Sequence, residues 1–440
     1  METLETLDTV RTLQRKLYLK AKREPKFRFY ALYDKVYRPD VLDKAYASVK
    51  ASKGGPGIDG VSFSMIEQEV GQSQFLAELA KDLKAGNYKA NPVMRVMIPK
   101  SNGEMRPLGI PTIRDRVAQM AVKLVIEPIF ESDFVEHSYG FRPKRSAHDA
   151  INTITRALLA GYTQVIDADL SKYFDTIPHA KLMKVVAERI SDKSILRLIK
   201  MWLKAPIIEV DQRGKRRVVG GGKNSRFGTP QGGVISPLLA NLYLHILDRV
   251  WERNNLATKL KARIVRFADD FVVLCKEDVN RPLSLIKKVL DRLDLKLNTD
   301  KTQVVNTWDE ALVFLGFELQ MRKSWKSGKY YPHVQPADKS VKKIKQAVKE
   351  VTGRTYTSIP MDDIIMLVNR RLRGWSNYFH FRNSSRRLSC VKNFVETRVI
   401  LHLRRRHKLR RYYQGFRTFP RERLYNEYGL YKVPTTAKWV

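Results

Sequence analysis

Cysteine is almost missing from this chain of 440 residues: Cys275 and Cys390 stand alone, with no pair at CxxC spacing. That excludes a disulfide framework and a zinc site built on thiolates. No apolar h-region follows the first charges, and no apolar stretch approaches the ~20 residues that a membrane-crossing helix needs. Neither a leader nor a membrane partner is therefore expected, and the chain reads as cytoplasmic. Internal repeats and low-complexity linkers are also lacking. Acidic residues are scarce beside basic ones, 45 against 82, for a net charge of +37. Such an imbalance is the footprint of a polyanionic partner, held by counterion release and weakened steeply by salt. With 43% hydrophobic and 10% aromatic residues the chain can build real cores, so it is not a disordered basic tail. Its length suggests about two to four domains or subdomains.

Against this basic background, two acidic segments stand out. Phe267-Ala268-Asp269-Asp270 lies between the apolar runs Ile264-Val265-Arg266 and Phe271-Val272-Val273-Leu274. The pattern predicts a β-hairpin with adjacent carboxylates at its turn. Like charges side by side are costly unless a cation neutralises them, and an oxygen-rich site suits Mg²⁺. A third carboxylate on another strand would complete a polymerase-like metal site. Val165-Ile166-Asp167-Ala168-Asp169-Leu170 reads as such a strand, with Phe174-Asp175 one helical turn later.

Elsewhere, residues 1–50 are basic and helical, with Phe27, Phe29, Tyr30, Tyr33 and Tyr37 interleaved. Lys53 to Gly60 is a loop with a literal GxGxxG at Gly55, Gly57 and Gly60. A helix-like segment precedes it where a dinucleotide fingerprint needs a strand, so it is read as a plain loop. Residues 93–113 alternate as strand, turn and strand around Asn102-Gly103. Helices are predicted over 115–131, 146–160 (Ser146 as N-cap), 178–205, Pro237 to about Trp251, and about 281–293. A strand is predicted over about 312–319. A Gly- and Arg-rich stretch from Asp211 leads into Gly228-Thr229-Pro230-Gln231-Gly232-Gly233. From Pro336 onward, Lys/Arg-rich helical segments follow one another and end in the dense run Arg404 to Arg411. A domain boundary is placed near 325–338.

Taken in order, these segments resemble the reverse transcriptases encoded by group II introns, over about residues 50 to 380. The matching stretches begin with Ile98-Pro99-Lys100 through Arg106-Pro107-Leu108-Gly109-Ile110-Pro111-Thr112, then Ser138-Tyr139-Gly140-Phe141-Arg142-Pro143. Asp169 through Asp175, Thr229 to Gly233, the acidic hairpin and Phe314-Leu315-Gly316-Phe317 follow. Gly374-Trp375-Ser376-Asn377-Tyr378-Phe379 looks like the family's maturase, or thumb, segment.

The resemblance implies RNA-templated attack of a primer 3′-hydroxyl on the α-phosphate of a dNTP. Two Mg²⁺ ions, with Mn²⁺ as a substitute, would activate the attacking oxygen and neutralise the leaving one. Asp169 and Asp269 are the implied bridging ligands, Asp270 a looser carboxylate, and the Leu170 carbonyl completes one coordination sphere. Asp167 shares a face with Asp169 on an alternating strand; the family motif is what distinguishes Asp169. Phe174 matches an aromatic ring under the incoming sugar that would clash with a 2′-hydroxyl. Lys100 and Arg106 flank the Asn102-Gly103 hairpin bend, which resembles the fingers, where they would clamp the triphosphate, Arg bidentately and Lys as a point charge. Arg116 is a further candidate for that clamp. Gln231 would hydrogen-bond nucleotide or template, and Gly232 would let the backbone approach. Lys301 matches a lysine near the pyrophosphate, a candidate general acid. Phe314 to Phe317 would support the primer end, and Trp375, Tyr378 and Phe379 are read as thumb core.

Two features depart from the family. Phe267 stands where Tyr is usual, which costs only a hydroxyl. The paired cysteines and histidines of the family's DNA endonuclease do not follow residue 400, so second-strand cutting is not expected.

The expected fold is α+β: a right-hand polymerase with fingers and an antiparallel palm sheet, then an all-α thumb/maturase domain. Residues 1–50 would be a basic extension, 51–330 fingers and palm, 331–395 thumb, and 396–440 a basic nucleic-acid-binding segment. The expected partners are structured intron RNA, an RNA template with DNA or RNA primer, target DNA and dNTPs. Two rival readings remain: a related polymerase recruited for host defence or CRISPR adaptation, and a catalytically silent RNA-binding splicing factor. The intact Asp169, Asp269 and Asp270 speak against the second.

Overall fold

The computed structural model describes residues 4–99, 103–211 and 213–438, with side chains from Thr9 onward. Lys100, one of the expected triphosphate ligands, lies outside the described residues. By internal contacts the chain divides into two compact units. One comprises 1–146, 168–272 and 280–302; the other comprises 147–167, 273–279 and 303–440.

The strands run β1 (Val93–Pro99), β2 (Met105–Ile110), β3 (Gln164–Ala168), β4 (Ile207–Val210), β5 (Arg216–Gly220) and β6 (Ala262–Phe267). They continue as β7 (Asp270–Cys275), β8 (Gln303–Asn306), β9 (Leu312–Phe314), β10 (Phe317–Lys323) and β11 (Tyr330–Pro336). Three sheets result, ordered β2-β1-β4-β5, β6-β7-β3-β8 and β11-β10-β9. Mixed with the helices below, they give the expected α+β class.

In the first unit, β1 and β2 form the antiparallel hairpin read from the sequence, with Met94 opposite Ile110 and Pro99 opposite Met105. Gly103 turns it at φ 85°, a conformation glycine takes at no steric cost. The helix Ile113–Glu131 follows at once. Thr112 caps it by accepting from the Asp115 amide, and Val117, Ala118, Ala121, Val122, Val125, Ile126 and Ile129 bury its apolar face. The stretch 178–205, expected as one helix, is two, His179–Arg189 and Lys193–Leu203. Asp192 is the reason. Its carboxylate caps the second helix through the Ser194 and Ile195 amides and also accepts from Leu32 and Tyr33 N–H. The Gly/Arg-rich stretch read without regular structure contains β5, paired antiparallel to β4.

In the second unit, the single strand expected over 312–319 is a reversal of β9 into β10. Leu315 and Gly316 take φ 50° and 80°, which sets Phe317 opposite Phe314. A Cβ on Gly316 would lie 3.2 Å from the Phe379 ring, and Tyr378 O–H donates to the Leu315 carbonyl at 2.9 Å. The segment expected to support the primer end is thus packed on the Trp375 to Phe379 stretch. Phe379 is buried, as the core reading of that stretch required.

The helices Asp338–Val351, Met361–Phe379 and Ser385–Arg406 enclose one apolar core. Val391, Val395, Val399 and Leu403 keep a spacing of four along the last, so its buried stripe runs unbroken through the 395/396 division expected from charge. Phe419, Leu424, Leu430 and Val433 join the same core. Part of the basic run is also structural. Arg398 and Arg405 donate to the Thr352 carbonyl at 3.2 and 3.1 Å, and Arg406 donates to that of Thr357 at 3.1 Å. These bonds satisfy carbonyls left open where a helix ends. Arg410 and Arg411 are exposed.

Candidate active site

The turn between β6 and β7 consists of Ala268 and Asp269, and Asp270 opens the second strand. Ala268 stands at φ 59°, uncommon for a residue with a Cβ. Asp269 is half-buried at the turn and Asp270 is exposed. Burial pushes the Asp269 carboxyl above the ordinary aspartate value. The negative charge of Asp169 pushes the same way, against the opposing influence of its own backbone amide, Arg106 and Arg266. The two carboxylates expected to work together therefore sit within electrostatic reach.

Asp169 follows β3 directly and is fixed from the 298–302 loop. Asn298 donates its amide N–H to the Asp169 carbonyl at 2.8 Å and its Nδ2 to Asp169 Oδ2 at 3.0 Å. Lys301 Nζ lies 3.6 Å from the same oxygen. Leu170 bridges to Leu297 through flanking bonds made by Asp169 and Ser171, and alternation turns its own carbonyl to the opposite side.

Phe174 is 8% exposed, with its ring edge-on to Tyr173 at 5.7 Å. Its carbonyl accepts from Thr229 N–H at 2.7 Å, which seats the Gly228 to Gly233 segment against this turn. The other end of that segment meets β2. Gly109 N–H donates to the Gln231 carbonyl at 2.5 Å, and Arg106 Nε donates to Gln231 Oε1 at 2.9 Å. Gly232, at φ 113°, approaches so closely that a Cβ would fall 2.2 Å from the Gly109 oxygen. Arg106, Gln231, Gly232, Asp169, Asp269 and Lys301 are thereby brought into one neighbourhood.

Arg116 engages elsewhere. It is 6% exposed and donates from Nη2 to the Gly55 carbonyl at 2.5 Å, pinning the 53–60 loop. Burial lowers its guanidinium from the usual value, with Asp59 opposing. Arg142, in the Ser138 to Pro143 motif, is likewise spent on the Ser138 and Val135 carbonyls and Glu131.

Several supporting residues were not found from sequence. Asn298 lies three residues before Lys301 but was given no role. Arg266 was a lone charge inside an apolar strand. Asn241 and Asp248 lie seven residues apart, on one face of the largely apolar buried helix Ser236–Arg253, with buried His245 between them in sequence. A buried polar pair at helical spacing was the available signal.

Comparison with known proteins decides the family. The profile described as reverse transcriptase (RNA-dependent DNA polymerase) matches residues 98–319. The group II intron, maturase-specific domain profile matches residues 341–419. The chain belongs to the group II intron reverse transcriptases. It is 38% identical to Protein YkfC of Escherichia coli K12 over 349 residues, 71% of this chain and 88% of that protein. Identity to the group II intron-encoded protein LtrA of Lactococcus lactis subsp. cremoris is 28% over 467 residues, covering 86% of this chain and 75% of LtrA. Among solved structures, a chain of a Cas6-RT-Cas1–Cas2 complex aligns at 23% identity and a TM-score of 0.33, over 59% of this chain and 42% of that one. A likeness so loose has no bearing on function.

This reverse transcriptase is an RNA-directed DNA polymerase, and its family works on intron RNA and nucleic-acid substrates. Among the described residues, no helix is long and apolar enough to cross a membrane. The family generally uses divalent metals. Among the described residues no group of three or more His, Cys, Asp or Glu gathers closely enough to hold one. The side chains present a pair, Asp169 and Asp269, and not a triad. The donor set nevertheless fits a hard cation: two oxygen-bearing groups of like charge, one half-buried, whose mutual repulsion a divalent ion would relieve.

Proposed function

We propose that RNA-templated nucleotidyl transfer from dNTPs is centred on Asp169 and Asp269, with Asp270 in support. The observation that carries this reading is the pairing of two like-charged carboxylates from separate segments, with Arg106 and Lys301 as neighbouring cations. Two Mg²⁺ ions, replaceable by Mn²⁺, would be held by Asp169, Asp269, the Leu170 carbonyl and Asp270. When bound they supply activation of the attacking oxygen and neutralisation of the leaving one.

The chain's own residues do the rest. Gln231 holds Arg106 by its Nε, which leaves the terminal N–H groups of the guanidinium to take the triphosphate, alongside Lys100. Gly232 keeps the backbone close to β2 so that this arrangement persists. Lys301 donates a proton to departing pyrophosphate, a role its exposure and its position 3.6 Å from Asp169 support. Phe174 blocks a 2′-hydroxyl and so selects dNTPs. Arg116 anchors the 53–60 loop. Outside the polymerase centre, the protein serves as a maturase, binding its structured intron RNA and then a DNA target through its basic surfaces.

Primer extension on an RNA template with Mg²⁺ and dNTPs tests the centre. Wild type should extend and Asp269→Ala should not. Extension by both would remove Asp269 from the site. Extension by neither, with tight binding of structured RNA by both, would leave an RNA-binding splicing factor.

A further inference from the structure

The centre of the first unit contains a fully buried ion pair that the chemistry above does not use. Arg266 and Asp248 both have side chains with 0% exposure. Arg266 Nε donates to both Asp248 carboxylate oxygens at 3.0 Å, and Nη2 donates to Oδ2. A buried pair of this kind seldom outdoes well-packed apolar residues in stability. Stability alone therefore gives little reason for a guanidinium at this point in an apolar strand. Its remaining bonds supply one. Nη1 donates to Asn241 Oδ1 and to the Ala268 carbonyl, each at 2.9 Å.

Ala268 is the residue immediately before Asp269, and its left-handed backbone, costly for a residue with a Cβ, persists only where the surroundings enforce it. Three contacts enforce it. Arg266 holds its carbonyl. Gly140 packs against its amide so tightly that a Cβ at 140 would fall 2.3 Å from the Ala268 nitrogen. Asn241 joins the two sides, accepting from Arg266 and donating from Nδ2 to the Gly140 carbonyl at 2.5 Å. The 137–140 segment is tied to β6 as well, through Arg266 N–H to the His137 carbonyl and Tyr139 N–H to the Arg266 carbonyl, at 2.9 and 2.8 Å.

We infer that Arg266 is a positioning residue. Held by Asp248 and Asn241, it clamps the Ala268 turn from within the core and thereby sets the direction in which Asp269 presents its carboxylate. This rests on the reading of Asp269 as a residue of the polymerase centre. Lysine would not substitute, because one ammonium cannot serve a carboxylate, an amide oxygen and a main-chain carbonyl in the fork geometry of guanidinium.

The test compares wild type, Asp269→Ala, Asn241→Leu and the double variant Arg266→Met/Asp248→Leu, which removes both buried charges together. Four quantities are measured: melting temperature, affinity for primer–template, Mn²⁺ binding to the enzyme–primer–template complex by EPR, and extension rate. For Asn241→Leu and the double variant, the inference expects folded proteins with primer–template affinity close to wild type. Mn²⁺ binding should be about tenfold weaker and extension about 10- to 100-fold slower, the range typical when support behind a metal ligand is lost.

A purely structural role would lower the melting temperature but leave Mn²⁺ affinity and extension per folded molecule unchanged, and that result overturns the inference. If the double variant does not fold, Asn241→Leu decides alone, since it keeps the ion pair; wild-type Mn²⁺ binding and extension in it overturns the inference. An inactive Asp269→Ala beside a fully active Asn241→Leu refutes the positioning role only. Wild-type extension by Asp269→Ala refutes the polymerase-centre reading and this inference with it.

Discussion

Asp248, which holds Arg266 of β6, and Asp269, in the turn that follows that strand, have opposite surroundings. Burial alone would raise Asp248, but the adjacent Arg266 guanidinium overrides it through charge and hydrogen bonds, with His245 Nδ1 3.6 Å away, and holds the carboxyl well below the usual range. Asp269 is less buried, yet its carboxyl lies above the ordinary value because no counter-ion overrides the burial it does have, and the charge of Asp169 adds to that push. One layer is matched charge for charge. The other sets two carboxylates near each other with only the more exposed Arg106 and Lys301 as neighbouring cations. The difference teaches where this fold spends stability and where it stores reactivity: the imbalance above the turn is tolerable because the layer below it is complete.

The largest expected effect comes from breaking the matched layer. Asp248→Asn leaves Arg266 buried without its counter-ion and should cost about 3–5 kcal/mol in unfolding free energy, measured by denaturant titration at neutral pH. Because Asp248 is depressed in the folded state, its stabilising contribution is present above the ordinary carboxylate range. It is lost only as pH falls through the lower folded value. The acid limb of the wild-type stability profile should therefore extend to strongly acidic pH, and that of Asp248→Asn should be flatter.

Asp269→Asn acts in the opposite direction. A raised carboxyl destabilises the folded state once pH rises through its folded value. Without divalent cation the variant should melt above wild type at neutral pH and converge with it in acid, while losing extension. Added Mg²⁺ should narrow the gap by stabilising wild type alone. A variant that melts lower at neutral pH would show that Asp269 carries no unrelieved charge.

The smallest effect sharpens the comparison at Phe174, which lies on the reactive side but packs like core. Phe174→Val should cost roughly 1–3 kcal/mol of stability through the smaller side chain and should raise ribonucleotide incorporation on an RNA template. Destabilisation with unchanged sugar selectivity would make the ring core only.

Much of this arrangement was legible in the sequence, for identifiable reasons. Local signals sufficed where they were local in cause: Asn102-Gly103 for the β1–β2 hairpin, and the apolar runs around Asp269 for β6 and β7. The break at Asp192 was missed because its carboxylate is recruited as a cap and also bonds Leu32 and Tyr33, 160 and 159 residues away. The reversal at Leu315-Gly316 was missed because the apolar alternation was read straight across it, although its phase slips by one residue between Phe314 and Phe317, which pair with each other. At the site, carboxylates announced themselves by adjacency. Asn298, which bonds Asp169, and Asn241 and Asp248, which bond Arg266, did not, since they acquire meaning only through partners distant in sequence. The contact of Arg116 with the Gly55 carbonyl, 61 residues away, was equally out of reach of the motif beside it.

The arginines of the helix Ser385–Arg406 bear on how this protein's grip on RNA should be counted. The slope of binding affinity against salt concentration, on logarithmic axes, reports how many phosphates are neutralised. Arg398, Arg405 and Arg406 have already given N–H groups to the Thr352 and Thr357 carbonyls, so they have fewer to offer a phosphate than exposed Arg410 and Arg411. Replacing Arg410 and Arg411 with glutamine should flatten the salt slope. The same change at Arg405 and Arg406 should register first as a lower melting temperature. A basic run eight residues long is thus two instruments, a clasp for the protein's own backbone and a handle for someone else's.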